Sequence, residues 1–107
     1  MAFLCVAAAA EIPPGQVREV RLGDETIAVA NVGGHFYAIS NTCLHRGGPL
    51  GQGVLDGKTL ICPWHGWSFD VTNGNLSHNQ AGGVACYVVE VRDGNLFVDL
   101  ARSSQEP

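Results

Sequence analysis

The run Thr26-Ile27-Ala28-Val29-Ala30-Asn31-Val32-Gly33-Gly34-His35-Phe36-Tyr37-Ala38-Ile39 sets two β-prone segments on either side of a glycine pair. Thr26 to Val32 is short and rich in β-branched residues. Gly33-Gly34 offers the positive φ angles of a tight hairpin, and His35 to Ile39 resumes the strand pattern. Upstream, Gln16 to Leu22 alternates, with Val20 and Leu22 on one face and Glu19 and Arg21 on the other, before Gly23-Asp24 breaks it. Met1 to Ala10 is nearly all apolar and reads as a first strand entering a turn at Pro13-Pro14-Gly15. Downstream, Gly51, Gly53 and Asp56-Gly57 make Leu50 to Lys58 read as turns rather than a helix. Thr59-Leu60-Ile61 is a strand, and Ser68 to Thr72 another that ends on the hairpin signal Asn73-Gly74. Val84 to Val91 is the longest β-rich run, and Asp93-Gly94 turns it. Asn95 to Leu100 then sets Leu96, Val98 and Leu100 against Asn95, Phe97 and Asp99. No segment has helical periodicity, and there is no internal repeat. The expected fold is all-β, a small antiparallel sandwich or barrel.

Two loops interrupt these strands. Cys43-Leu44-His45-Arg46-Gly47-Gly48-Pro49 and Cys62-Pro63-Trp64-His65-Gly66-Trp67 each set a thiolate and an imidazole a few residues apart. Packing does not explain why Cys and His recur together in two loops full of Gly and Pro. Two thiolates and two imidazoles could hold a tetrahedral zinc ion. Structural zinc sites, however, usually pair Cys with Cys and then His with His. Here each short motif mixes the types, Cys first and His second. A segregated site, with a Cys pair on one iron and a His pair on another, suits the pattern better.

The doublet resembles the fingerprint of Rieske iron–sulfur proteins, and the resemblance runs from the residues near Val20 to those near Leu100. It implies one Rieske-type [2Fe–2S] cluster ligated by Cys43, His45, Cys62 and His65. Cys43 and Cys62 would hold the buried iron, and His45 and His65 the outer iron at the domain tip. The implied organisation is a single Rieske domain over residues 1–107, its cluster-binding lobe inserted at about 40–69 and its tail, 103–107, frayed. With two neutral imidazoles the oxidised centre is uncharged, whereas four thiolates would leave it at −2, so accepting an electron is easier here. High-potential relatives carry an additional disulfide between the loops and Ser and Tyr hydroxyls that bond the cluster and a cysteine sulfur. The matching positions here are Gly48 and Trp64 for the disulfide, and Trp67 and Phe69 for the hydroxyls. A potential at the low end of the range, about −150 mV, is expected.

The resemblance is specifically to soluble Rieske-type ferredoxins of bacterial aromatic-ring oxygenase systems. It implies a one-electron carrier between an NAD(P)H-dependent flavoprotein reductase and a terminal oxygenase, docking at the His45/His65 tip and catalysing nothing itself. Alternatives are the small subunit of a larger oxidoreductase such as nitrite reductase, or a structural zinc-binding module. Other residues have bland readings beside functional ones. Gly47, Gly48 and Gly66 suit close backbone approach or plain turns, Trp64 and Trp67 shielding or core filling, and Arg46 partner steering or a solvated charge. His35 reads as a solvated or packed strand histidine. His78 sits in Ser77 to Gly83, where relatives often have a Pro-rich cover and this chain has no proline.

Composition narrows the class. The chain has 107 residues, a net charge of −4 and only six Lys and Arg, scattered from Arg18 to Arg102, so nucleic acid is not an expected partner. The apolar start has no basic residue before Arg18, and no apolar run approaches the roughly 18–20 residues that span a bilayer. Neither export nor a membrane anchor is expected. Of the four cysteines, Cys5 and Cys86 lie in apolar strand-like stretches and read as small buried hydrophobes. Thiols kept for metal chemistry suit the cytoplasm, and the chain is expected to be a monomer.

Overall fold

In the computed structural model, the described residues are 3–22, 25–41, 49–63, 67–74 and 83–103, with side chains described through Asp99. Among the described residues, nine strands account for nearly all regular structure: β1 (Phe3–Ala8), β2 (Val17–Leu22), β3 (Glu25–Val32), β4 (His35–Ser40), β5 (Val54–Asp56), β6 (Thr59–Ile61), β7 (Ser68–Asp70), β8 (Cys86–Arg92) and β9 (Asn95–Ser103). Two single 3₁₀ turns, Ala9–Glu11 and Leu50–Gln52, are the only helical elements among the described residues. Every strand pairing among the described residues is antiparallel. β1-β9-β8-β4-β3-β2 form a six-stranded sheet whose edge strands approach one another, and β5-β6-β7 form a second, three-stranded sheet. The all-β expectation holds.

The central hairpin forms as read. Val32 pairs with His35, and Gly33 and Gly34 take φ of 60° and 99°, left-handed angles that glycine adopts without a Cβ penalty. The twist of such a turn matches that of its strands. Residues 27–31 of β3 are buried on both faces, which is why Ile27-Ala28-Val29-Ala30 is continuously apolar instead of alternating. Ile27 and Val29 pack with Ile12, Ala38, Leu96 and Val98 in one core. Ala28 and Ala30 pack with Ile39, Leu50, Leu60, Cys62, Phe69, Val71 and Cys86 in a second core, which joins the two sheets.

Several local expectations change. Val54–Asp56, read as turn, is a strand paired with β6, although Asp56-Gly57 does begin its hairpin turn. Asn73-Gly74 is a turn, with Gly74 at φ 81°, but the strand after it, β8, pairs with β4 and β9 and not with β7. Cys5 is exposed on edge strand β1, whereas Cys86 is buried as expected. Glu19 is half-buried and Asp99 fully buried, both on strands whose alternation pointed them to solvent. β9 continues through Ser103, so fraying at that residue is not observed. Residues 104–107 lie outside the described ones.

Candidate metal-cluster site

Three pairs of described residues beside the second core are each joined by a backbone hydrogen bond that closes a neck. The Leu50 N–H donates to the Asn41 carbonyl at 2.8 Å, the Cys62 N–H to the Trp67 carbonyl at 2.7 Å, and the Val84 N–H to the Gly74 carbonyl at 2.8 Å. The first neck brackets the Cys43/His45 loop, the second the His65 loop, and the third the stretch that contains His78. Cys43, His45 and His65 lie outside the described residues, as do Arg46, Gly47, Gly48, Trp64, Gly66 and His78. Of the four sequence-identified ligands, Cys62 alone is described.

Cys62 sits where the ladder of the small sheet ends. Thr59, Leu60 and Ile61 pair with Asp70, Phe69 and Ser68, so Cys62 opposite Trp67 is the next rung before the chain turns. Its side chain is 2 % exposed, among Leu50, Leu60 and Phe69, each fully buried. An ionised thiolate in such surroundings is costly unless a cation takes up its charge, and a cluster iron does so. The position fits an iron-ligating sulfur on the inner side of a cluster. Trp67 packs half-buried against the same core and Phe69 fills it, which favours core filling for Trp67. Neither side chain has a hydroxyl to donate.

The first neck is held differently. Asn41 is buried, and its N–H donates to the Thr26 carbonyl at 3.1 Å. Its side-chain oxygen accepts from the Gly51 N–H at 2.6 Å. Its side-chain NH₂ donates to Glu19 Oε2 at 2.7 Å, while Gln52 Nε2 donates to Glu19 Oε1 at 3.0 Å. Glycines permit this fit: a Cβ on Gly51 would strike Glu19 Cγ and lie 2.8 Å from Asn41 Oδ1, and one on Gly53 would strike the Ile61 carbonyl. Sequence reading missed Glu19, Asn41 and Gln52. No sequence motif marked them; it is the β2–β3 register, with Glu19 opposite Ala28 on the face that carries the second core, that reveals them.

At the end of the small sheet away from Cys62, Asp70 accepts from the Thr72 N–H at 2.9 Å and the Thr72 hydroxyl at 2.6 Å, and pairs with Lys58 at 3.4 Å. Burial alone would raise the carboxyl pKa, but the Thr72 bonds and the Lys58 charge outweigh it and hold the group below its ordinary 3.8. Cys86 Sγ lies 3.8 Å from the Val71 and Thr72 carbonyls, a weak donor packed as a small core residue. His35 is exposed beside its turn, in keeping with a solvated strand histidine.

An antiparallel β-scaffold that presents paired Cys/His loops from closed necks has the build of a small metal-cluster domain. The Rieske [2Fe–2S] domain profile matches residues 2–88, and the chain belongs to that family. Its cofactor is one Rieske-type [2Fe–2S] cluster. The chain is 38 % identical over 98 residues to ferredoxin CarAc of Metapseudomonas resinovorans, covering 90 % of this chain and 92 % of that protein. It is 36 % identical over 93 residues to the 3-phenylpropionate/cinnamic acid dioxygenase ferredoxin subunit of Escherichia coli K12, covering 85 % and 87 %. Among solved structures, it matches a complex of reduced oxygenase and oxidised ferredoxin in carbazole 1,9a-dioxygenase, with a TM-score of 0.85 and 37 % identity over 97 % of both chains. These two relatives are named as ferredoxins, electron-transfer components and not catalysts themselves. Among the described residues, no helix is long and apolar enough to cross a membrane.

Proposed function

We propose that this chain is a one-electron carrier that receives electrons from an NAD(P)H-dependent flavoprotein reductase and delivers them to a terminal oxygenase. Cys43, His45, Cys62 and His65 ligate its cluster, the two cysteines on the inner iron and the two histidines on the outer one. When bound, the cluster takes up and returns one electron. The single observation that carries the reading is Cys62, a sulfur buried at the closed neck of a Cys/His loop, in a chain similar to dioxygenase ferredoxins along nearly its whole length. Leu50, Leu60 and Phe69 keep water from that sulfur. Residues 1–107 form one unit whose cluster-binding lobe, near 40–69, includes the small sheet. The chain works as a monomer in the cytoplasm and meets its partners at the His45/His65 tip.

The test is to purify the chain with its cluster and follow the visible spectrum on adding NAD(P)H. Bleaching only when a flavoprotein reductase is supplied, followed by reoxidation on adding a terminal oxygenase, is the expected result. Isolation only in a stable complex with an enzyme's larger subunit would overturn the carrier reading.

A further inference from the structure

We infer that Glu19, on scaffold strand β2, is a positioning residue that locks the first ligand loop in place. The inference rests on the ligand assignment proposed above. Glu19 spends both carboxylate oxygens on residues that flank that loop, Oε2 on Asn41 at its entry and Oε1 on Gln52 just past its exit. One acidic side chain thereby ties the two ends of the segment containing Cys43 and His45 to the six-stranded sheet. The geometry is specific. Cross-strand partners share a face, so Glu19 opposite Ala28 and Val17 opposite Ala30 both face the second core. Ala28 is small enough to leave room for the glutamate stem, and Gly51 passes so close that any side chain there would strike Glu19. Asn41 relays the contact, since its other side-chain atom accepts from the Gly51 N–H at 2.6 Å. A half-buried carboxylate on a face otherwise given to packing costs stability unless its hydrogen bonds are fully used, and here both oxygens are used.

Without Glu19, the Asn41 amide and Gln52 lose their shared acceptor, and among the described residues the neck keeps its backbone bonds, Leu50 to Asn41 and Asn41 to Thr26, and the Asn41–Gly51 contact. The ligands on the first loop then hold the cluster less firmly, while the second loop keeps its own neck. Groups hydrogen-bonded directly to metal ligands commonly change affinity or activity by about 10–100-fold, and Glu19, one step further out through Asn41 and Gln52, is expected at the lower end of that range.

The experiment uses the cluster-loaded full chain as wild type, Glu19→Ala, Glu19→Gln and Gln52→Ala. Three readouts are taken: iron and sulfide per chain, the rate at which the cluster's visible absorbance bleaches at fixed temperature, and the EPR g values after dithionite. Far-UV circular dichroism follows the scaffold separately. Glu19→Ala is expected to bleach about ten-fold faster with shifted or broadened g values. Glu19→Gln, which can still accept from Asn41, is expected to restore the wild-type signal and bleach within about two-fold of wild type. Gln52→Ala, which removes one exposed bond, should fall between these and keeps the inference testable should Glu19→Ala fail to fold. Wild-type bleaching and g values in both Glu19→Ala and Gln52→Ala would overturn the inference, as would Glu19→Gln behaving like Glu19→Ala. A wild-type chain without iron would instead overturn the ligand assignment, a distinct outcome.

Discussion

The two ligand loops leave the same core through necks of different construction. At the first, polar side chains from two separate parts of the chain converge, with Glu19 reaching from β2 to Asn41 and Gln52. At the second, the β6–β7 ladder runs one rung further, to Cys62 and Trp67, and apolar Leu60 and Phe69 pack beneath it. The first neck therefore depends on directional bonds that a single substitution can remove. The second depends on strand pairing and close packing, and fails mainly when volume is lost. A cluster ligated from both loops, as proposed above, would be held by two kinds of force with different sensitivities to mutation.

The comparison breaks most completely at the ligand itself. Cys62→Ser is expected to abolish cluster assembly, read as iron and sulfide falling to near zero per chain with loss of visible colour, while circular dichroism still reports β-structure. At the packing level, Phe69→Ala removes a fully buried ring from beneath the second neck. It is expected to cost about 3–5 kcal/mol in denaturant unfolding, a large share of the roughly 5–15 kcal/mol typical of a domain. A loss below about 1 kcal/mol would mean that the second neck does not rely on packing.

The electronic contrast is subtler. Trp67→Ser combined with Phe69→Tyr offers hydroxyls where the sequence now has none. A hydrogen bond about 1 kcal/mol stronger in the reduced state corresponds to an upward shift of about 40 mV for one electron. An unchanged potential in a redox titration would sink the view that missing hydroxyls keep the potential low. The smallest effect is expected at Asp70. Its folded-state pKa is depressed, so the stabilisation it brings is present above the ordinary carboxylate value and is lost as pH falls through the folded value. Asp70→Asn should cost about 0.5–1 kcal/mol near neutral pH, and the difference from wild type should shrink and vanish as the pH falls through the depressed folded-state value, as measured by urea unfolding across pH.

Sequence reading served the second neck better than the first. Gly33-Gly34, Asp93-Gly94 and Asp56-Gly57 were legible because positive φ narrows the residue choice, and Gly33, Gly34, Gly57, Asp93 and Gly94 all have it. Thr59 to Ile61 leading into Cys62 was legible as a strand feeding a loop. Val54–Asp56 was not, because three residues among glycines are too few to display a period. Asn73-Gly74 misled because a turn dipeptide fixes local backbone and not the strand that follows. Glu19 and Asp99 were misplaced for a common reason: alternation assigns charged residues to water, and only the tertiary register reveals a covered face. Cys5 erred in the other direction, since an apolar strand at a sheet edge leaves part of its length uncovered. The family was legible from the type and spacing of its Cys and His residues, while Asn41, Gly51 and Gln52 carry no motif and are recognised only when Glu19 is seen between them.

The central claim is mixed Cys/His ligation of a two-iron cluster, and low-temperature EPR of the purified protein before and after dithionite, with iron, sulfide and zinc analysis, tests it most directly. Two irons and two sulfides per chain, with a reduced signal whose average g falls clearly below that of an all-cysteine cluster, is the predicted result. A colourless protein with one zinc per chain would contradict it.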